Sequence, residues 1–434
     1  MILSSFGKAV MNRNMESLLF SFPIGLEVER QRIDADGRIS QFPYPYNIGD
    51  PRTNKWITTD FMETMAEIAT PIAKSPEQAL RYLERISNIL RRGLADGEYL
   101  WPLSMPPKLP KDHRNIRIAH HTLEKKKYSE EWLKRHKIQE GAPCGVHVNI
   151  SIAPSLLNEL TTSIAERNQL YIKVAQGFLT YRFFLTYLFG ASPLAEENYF
   201  MDKWRPRHLA RSIRQSKYGF GTKFDGDFSD TEQYVQRIHS GLQDGQLLAE
   251  HDFHSPVRLK GPRKVAQLPT KGTQYLELRM LDLNPWASIG IDNDVVDLLC
   301  LMMAYFLMSE EQPFSLTQSN IRNEQVALEK PTDHCQYEEP MRTFLKELEH
   351  FAATIQAGQG TYDLLKRLEK MIDDPQQTFA GRLSSYIHHD SLSEFALQQA
   401  INFQSRSQKA TNVCQQFKDD QVLSEPTFKE ILGN

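Results

Sequence analysis

The sequence predicts an α+β protein built as one large domain over residues 1–434. Three observations lead there. Short runs of alternating apolar and polar residues occur at Ile24–Ile33, Gly145–Ile152 and Gln274–Leu283, the period of half-buried strands. Longer stretches following Ser75 and at Leu156–Leu188, Val295–Met308 and Glu338–Ile355 carry apolar residues at helical spacing. No fixed-period repeat, low-complexity tract or glycine- or serine-rich linker divides the chain, so strands and helices share one unit.

Taken in order, residues Met1 to Phe22 interrupt their apolar positions with Lys8, Arg13 and Glu16 and leave no signal-peptide core. Ser75-Pro76 reads as a helix cap with a first-turn proline, followed by an apolar stripe at Ala79, Leu83, Ile86, Leu90 and Leu94. The segment Met105–Gln139 is rich in Lys, Arg and His and contains Lys125-Lys126-Lys127. A solvated loop-and-helix excursion accounts for it, and so does a mobile flap that brings positive charge to phosphates. Of the two most apolar stretches, Tyr171–Gly190 is broken by Lys173 and Arg182, and Leu298–Met308 is too short to span a bilayer. Both are expected to be buried helices.

The 51 basic and 54 acidic residues leave a net charge of −3, which gives no reason to expect nucleic acid or an anionic membrane as a partner. Cys144, Cys300, Cys335 and Cys414 are widely spread, indicate neither a zinc site nor a disulfide scaffold, and suit a reducing cytoplasm. A monomer or weak homodimer is expected.

Four segments carry candidate chemistry. In Ile24-Gly25-Leu26-Glu27-Val28-Glu29, a strand puts both glutamates on one face, where they repel unless a cation or an arginine lies between them. Asp60, Glu63 and Glu67 would share a helix face if Trp56-Ile57-Thr58-Thr59-Asp60-Phe61 ran into a helix. Gly145–Ser151 alternates strictly, with His147, Asn149 and Ser151 on one side. Tyr275, Glu277 and Arg279 share a face in the third strand. Solvated strand faces, a helix cap and a surface ion pair satisfy each pattern taken singly. Together Glu27, Glu29, Asp60, Glu67 and Glu277 supply five acidic groups which, with a histidine and an arginine, are enough for two oxygen-rich magnesium sites and a phosphate clamp.

The strings Gly25-Leu26-Glu27-Val28-Glu29, Trp56-Ile57-Thr58-Thr59-Asp60-Phe61, Trp101-Pro102-Leu103-Ser104-Met105-Pro106, Gly145-Val146-His147, Tyr187-Leu188-Phe189-Gly190-Ala191-Ser192-Pro193 and Leu281-Asp282-Leu283-Asn284-Pro285 resemble, in order and spacing, bacterial glutamate–cysteine ligase. The resemblance runs from about residue 24 to about residue 385. It implies a mainly antiparallel sheet like that of the glutamine synthetase catalytic domain, curved into a funnel with helices outside. It further implies ATP-dependent ligation of L-glutamate to the amine of L-cysteine through a γ-glutamyl phosphate. One magnesium ion, or manganese in its place, would be held by Glu29, Asp60 and Glu67, and another by Glu27, His147 and Glu277. Arg214 and Arg279 match arginines near the reacting carboxylate and phosphate, Phe61 and Tyr128 match positions around the cysteine side chain, and Asn149 falls among the substrate-contacting residues.

The acceptor pocket departs from the family pattern. Tyrosines associated with the cysteine carboxylate are replaced by Phe220 and His254. A protonated His254 would pair with that carboxylate, and Tyr218 would stand in for the missing hydroxyl. Otherwise a different amine is the acceptor, and a non-catalytic binder of glutamate or nucleotide is the alternative from another class. No segment resembling an ATP-grasp domain follows the matched region, so the first ligation alone is expected, without glycine addition.

Overall fold

The computed structural model describes residues 2–119, 122–201, 204–219 and 224–410. Among these, seven strands form one antiparallel sheet: β1 (Ile24–Ile33), β2 (Ile57–Thr59), β3 (Met65–Ala69), β4 (Tyr99–Leu100), β5 (Val146–Ile150), β6 (Val257–Lys260) and β7 (Tyr275–Leu281). Their spatial order is β2-β3-β1-β5-β7-β6, with β4 paired to the far end of β1. The three strands expected from alternation are β1, β5 and β7, and they lie side by side at the centre of this order.

The segment around Asp60 is not a helix. Residues 57–69 instead form β2 and β3, an antiparallel pair with Asp60 in the connection and Glu67 directly opposite Glu29 of β1. Met65, Ala66 and Ile68 are all buried, so the strand is covered on both faces and shows no clean alternation. Glu63 turns to Arg117, 3.3 Å away.

The helices in chain order are α1 (Ser5–Asn12), α2 (Pro76–Gly93), α3 (Leu123–Leu133), α4 (Pro154–Leu160), α5 (Ile164–Thr180), α6 (Arg182–Phe189) and α7 (Thr231–Gln243). After these come α8 (Leu268–Lys271), α9 (Asn293–Met308), α10 (Leu316–Ala327), α11 (Glu338–Thr354), α12 (Gln359–Asp373), α13 (Phe379–Ser384) and α14 (Ser393–Lys409). Ser75 caps α2 as expected, accepting a hydrogen bond from the Gln78 amide, and Ala79, Leu83, Ile86 and Leu90 are buried. The stretch Leu156–Leu188 is three helices instead of one. Ser163 starts α5 by accepting from the Glu166 amide, while the Glu166 carboxylate accepts from the Thr162 amide. Tyr181 separates α5 from α6.

One sheet face is apolar: Leu26, Val28, Val146, Val148, Ile150, Leu276 and Leu278 are buried. Against the strands pack α2, on β1 and β3, α5, on β6 and β7, and α6, on β7. Each fully buried side chain of this kind contributes roughly 1.5–3 kcal/mol relative to exposure. The apolar helix α9 lies in the second layer against α2, α5 and α11, with Leu298–Met308 buried throughout. No helix of the described residues is long and apolar enough to cross a membrane. At the far end of β1, Arg32 and Glu98 form a fully buried ion pair at 2.5 Å.

Candidate active site

The opposite sheet face gathers the polar residues because antiparallel register sets them side by side. Glu67 of β3 faces Glu29 of β1, Glu27 of β1 faces His147 of β5, Asn149 of β5 faces Glu277 of β7, and Glu277 faces Arg258 of β6. A bulge between β5 and β7 places an extra residue on β7 at Arg279–Met280. Bulges re-aim side chains, and here the Arg279 guanidinium sits 2.6 Å from Glu277 Oε1 and 3.3 Å from His147 Nδ1.

These side chains line a cavity of about 440 Å³ whose walls include Glu27, Glu29, Asp60, Phe61, Glu67, Tyr128, His147, Arg214, His254 and Arg279. A second cavity of about 280 Å³ lies beyond Arg214, His254 and Arg279, which line both. Ligand atoms of Glu27, His147 and Glu277 come within 4.8 Å of one another, a grouping able to hold a metal ion. His147 links two carboxylates, with Nδ1 3.4 Å from Glu27 and Nε2 3.6 Å from Glu29.

The charges divide the site into two ends. Burial, with Asp60 adding its repulsion, raises the pKa of Glu29. Burial and the neighbouring Asp60, Glu27 and Glu29 push Glu67 well above the ordinary carboxylate range. Lys125 offsets this only in part at Glu67, as do Arg279 and Arg214 at Glu29, and the donor chemistry of this acidic end fits a divalent cation. At the other end burial opposes ionisation of Glu277, but Arg279, Arg258 and Lys260 hold its carboxyl well below the usual range. Glu27 is likewise lowered: burial works against ionisation, and hydrogen bonding and charge from His147, with the Asn149 amide, outweigh it.

Arg214 is fixed by several contacts outside the cavities. Its Nη1 donates to the Leu281 carbonyl at 3.0 Å and lies 3.6 Å from Asp282 Oδ1. Asp282, fully buried, accepts through Oδ2 from the Ala191 amide at 2.8 Å and from the Ser192 and Ser212 hydroxyls, both at 2.7 Å. It thereby ties together the two loops beside Arg214. A Cβ at Gly145 would fall on the Arg214 guanidinium, so only glycine leaves room there.

The apolar wall comes from Phe61 and α3. Phe61 meets the Trp132 ring edge to face at 4.7 Å, and Tyr128 donates to Asp252 Oδ1 at 3.1 Å while its ring meets His251. Of the three consecutive lysines, Lys125 faces the site and donates to the Thr59 carbonyl at 2.6 Å.

Most of the residues expected from sequence are thus brought together, with specific departures. Asn149 lines neither cavity and donates to Glu27 Oε1 at 2.7 Å. Phe220 lies outside the described residues. Burial, then Arg279 and Arg258, push the pKa of His254 well below the ordinary value, which disfavours the protonated form expected to pair with a carboxylate. Tyr218 packs against Phe200 and Trp204 instead of reaching either cavity. Sequence reasoning missed Arg258 and Lys260, whose signal was the alternation Val257-Arg258-Leu259-Lys260, and His251, which had none.

A family model described as glutamate-cysteine ligase matches residues 8–246 and 222–328. The glutathione biosynthesis bifunctional protein GshAB of Streptococcus thermophilus is 34% identical over 409 residues, covering 91% of this chain and 54% of that protein. The chain therefore spans about half the length of that relative. Among solved structures, a bifunctional glutathione synthetase from Pasteurella multocida superposes with a TM-score of 0.86 at 29% identity, over 92% of this chain and 55% of its own. Glutamate–cysteine ligase from Francisella tularensis, solved in complex with AMP, shares the fold with a TM-score of 0.80 at 18% identity, over 95% and 92% of the two chains. On the extent of the family match, the chain belongs to the glutamate–cysteine ligase family.

Proposed function

We propose that the chain joins the γ-carboxylate of L-glutamate to the amino group of L-cysteine at the expense of ATP, giving γ-glutamylcysteine, ADP and phosphate. The observation that carries this reading is the wall of Arg214, Arg279 and His254 shared by two cavities. A carboxylate and a nucleotide phosphate admitted from opposite sides would meet between two guanidinium groups, whose forked donors suit both. Family membership supports the same chemistry. We read the curved sheet as a funnel of the glutamine synthetase kind, and the chain as one catalytic domain responsible for the first ligation.

In the proposed reaction a γ-carboxylate oxygen attacks the γ-phosphorus of ATP, ADP leaves, and a γ-glutamyl phosphate forms. The cysteine amine then attacks the acyl carbon, phosphate leaves with that oxygen, and the amine loses a proton. Arg214 and Arg279 stabilise charge on the transferring phosphoryl oxygens and orient the carboxylate. Glu29, Asp60 and Glu67 would hold one magnesium ion and Glu27, His147 and Glu277 another, with Asn149 orienting Glu27. Bound there, magnesium supplies neutralisation of the phosphate oxygens. Phe61, Tyr128 and Trp132 form the wall that excludes water from the acyl phosphate and receives the cysteine side chain.

A second reading, a different amine acceptor, is favoured by one observation: the burial of His254 beside Arg279 and Arg258 disfavours the charge that would pair with a substrate carboxylate. Glutamate labelled with ¹⁸O in its γ-carboxylate tests the mechanism whichever amine is used. One labelled oxygen should appear in the released phosphate; unlabelled phosphate accompanying amide formation would exclude the acyl phosphate.

A further inference from the structure

Behind the acidic cluster, on the other face of the sheet, two arginines are buried, and among the described residues neither makes an ion pair; the nearest favouring charge on Arg91 is Glu84 of the same helix. Alternation along β1 sets Arg30 on the side of Val28, away from Glu27 and Glu29. Arg30 is 3% exposed, and neither its Nη1 nor its Nη2 makes a hydrogen bond among the described residues. Arg91 of α2 is 2% exposed. Its Nη2 donates to the Ser288 carbonyl and its Nη1 lies 3.5 Å from Ser407 Oγ, both neutral acceptors. The two guanidinium groups meet the same short loop: a Cβ at Gly290 would stand 2.8 Å from Arg30 Nη2, two residues beyond the carbonyl that Arg91 engages.

Guanidinium groups stay protonated in proteins, and buried charges are paired. Here burial, then the charge of Arg91, press against the charge on Arg30. The group that favours it is the Cys144 thiol, which burial keeps protonated. Neither arginine lines the two cavities of the active site.

We infer that Arg30 and Arg91 hold a small monovalent anion of the chloride class between β1, α2 and the Ser288–Gly290 loop. The anion would accept from the free Arg30 donors and relieve the repulsion between the two cations. It would also brace the central strand from behind, beneath the carboxylates at Glu27 and Glu29.

The test uses the full chain and two probes. Crystals grown in sodium bromide are examined for anomalous scattering, and thermal unfolding is followed in sodium chloride against sodium gluconate at equal ionic strength. The expected results are a bromide peak in contact with Arg30 and a rise in Tm of about 1.5 °C per tenfold chloride above its dissociation constant. That rise should be absent in Arg30→Met and in Arg91→Met, either of which suffices if the other fails to fold. Water or a side-chain carboxylate in place of bromide overturns the inference. So does equal stability of the wild-type protein in chloride and gluconate, which would mark any crystal peak as binding at crystal concentration only.

Discussion

Asp282 offers the sharpest test of how the site is held together. Asp282→Asn keeps the shape of the side chain but removes its charge. The one oxygen left to the amide still accepts from the Ala191 amide and the Ser192 and Ser212 hydroxyls, at 2.7–2.8 Å in the native protein. Its NH₂ group then faces Arg214 Nη1, where the native Oδ1 lies at 3.6 Å. Hydrogen bonds to a charged group contribute about 1 kcal/mol more than neutral ones, so three of them imply a loss of roughly 3 kcal/mol. At about 2.1 cal/mol/K per residue over 434 residues, that lowers Tm by about 3 °C. Because the two tied loops and the guanidinium move together, turnover should fall more steeply than Tm suggests, with the KM for ATP little changed. Differential scanning calorimetry and steady-state kinetics on one preparation decide the matter. A variant with unchanged Tm and native turnover would refute the role assigned to Asp282.

Three further outcomes follow from the same geometry. Because Glu29 and Glu67 have folded pKa values above the ordinary one, ionising them costs stability as pH rises from the unfolded value through the raised folded value. Without divalent cation, melts from about pH 5 to about pH 8 should show that decline; Glu67→Gln should show less of it, and magnesium should abolish it. Gly145→Ala puts a methyl group where the Arg214 guanidinium lies; turnover should drop about 10²-fold while circular dichroism stays native, and normal turnover would mean that Arg214 can sit elsewhere. Glu98→Ala strands the buried Arg32, a loss of about 3–5 kcal/mol that urea denaturation should register.

Where the sequence was legible, one sheet face was buried and the other polar. Ile24–Ile33 is a strand with the bounds its alternation predicts, and β5 and β7 lie within the stretches predicted for them. Ser75-Pro76 announced α2 because capping is a local interaction. The misreading of Asp60–Glu67 as a helix has a physical cause: apolar positions of β3 are buried on both faces, which erases the period-two signal. The correct outcome, Glu67 beside Glu29, depends on a strand pairing no local pattern states. The split of Leu156–Leu188 was visible in Thr161-Thr162-Ser163, whose cap with Glu166 was overlooked in favour of the apolar stripe. Single residues of the site were named from resemblance, whereas the charge division between Glu67 and Glu277 arises only when Arg258, Lys260 and Arg279 converge from β6 and β7. Likewise, the lowered pKa of His254 comes from its burial beside Arg279 and Arg258, which strand pairing brings to it.

The proposed activity couples ATP cleavage to amide formation on glutamate. The direct measurement incubates the purified chain with ATP, magnesium and glutamate, adds cysteine or one of a panel of other amines, and follows ADP together with product mass. γ-Glutamylcysteine and ADP are expected in equal amounts, dependent on magnesium and lost in Arg279→Ala. ATP and glutamate left unconsumed with every amine, by a folded protein that binds both, would contradict that activity.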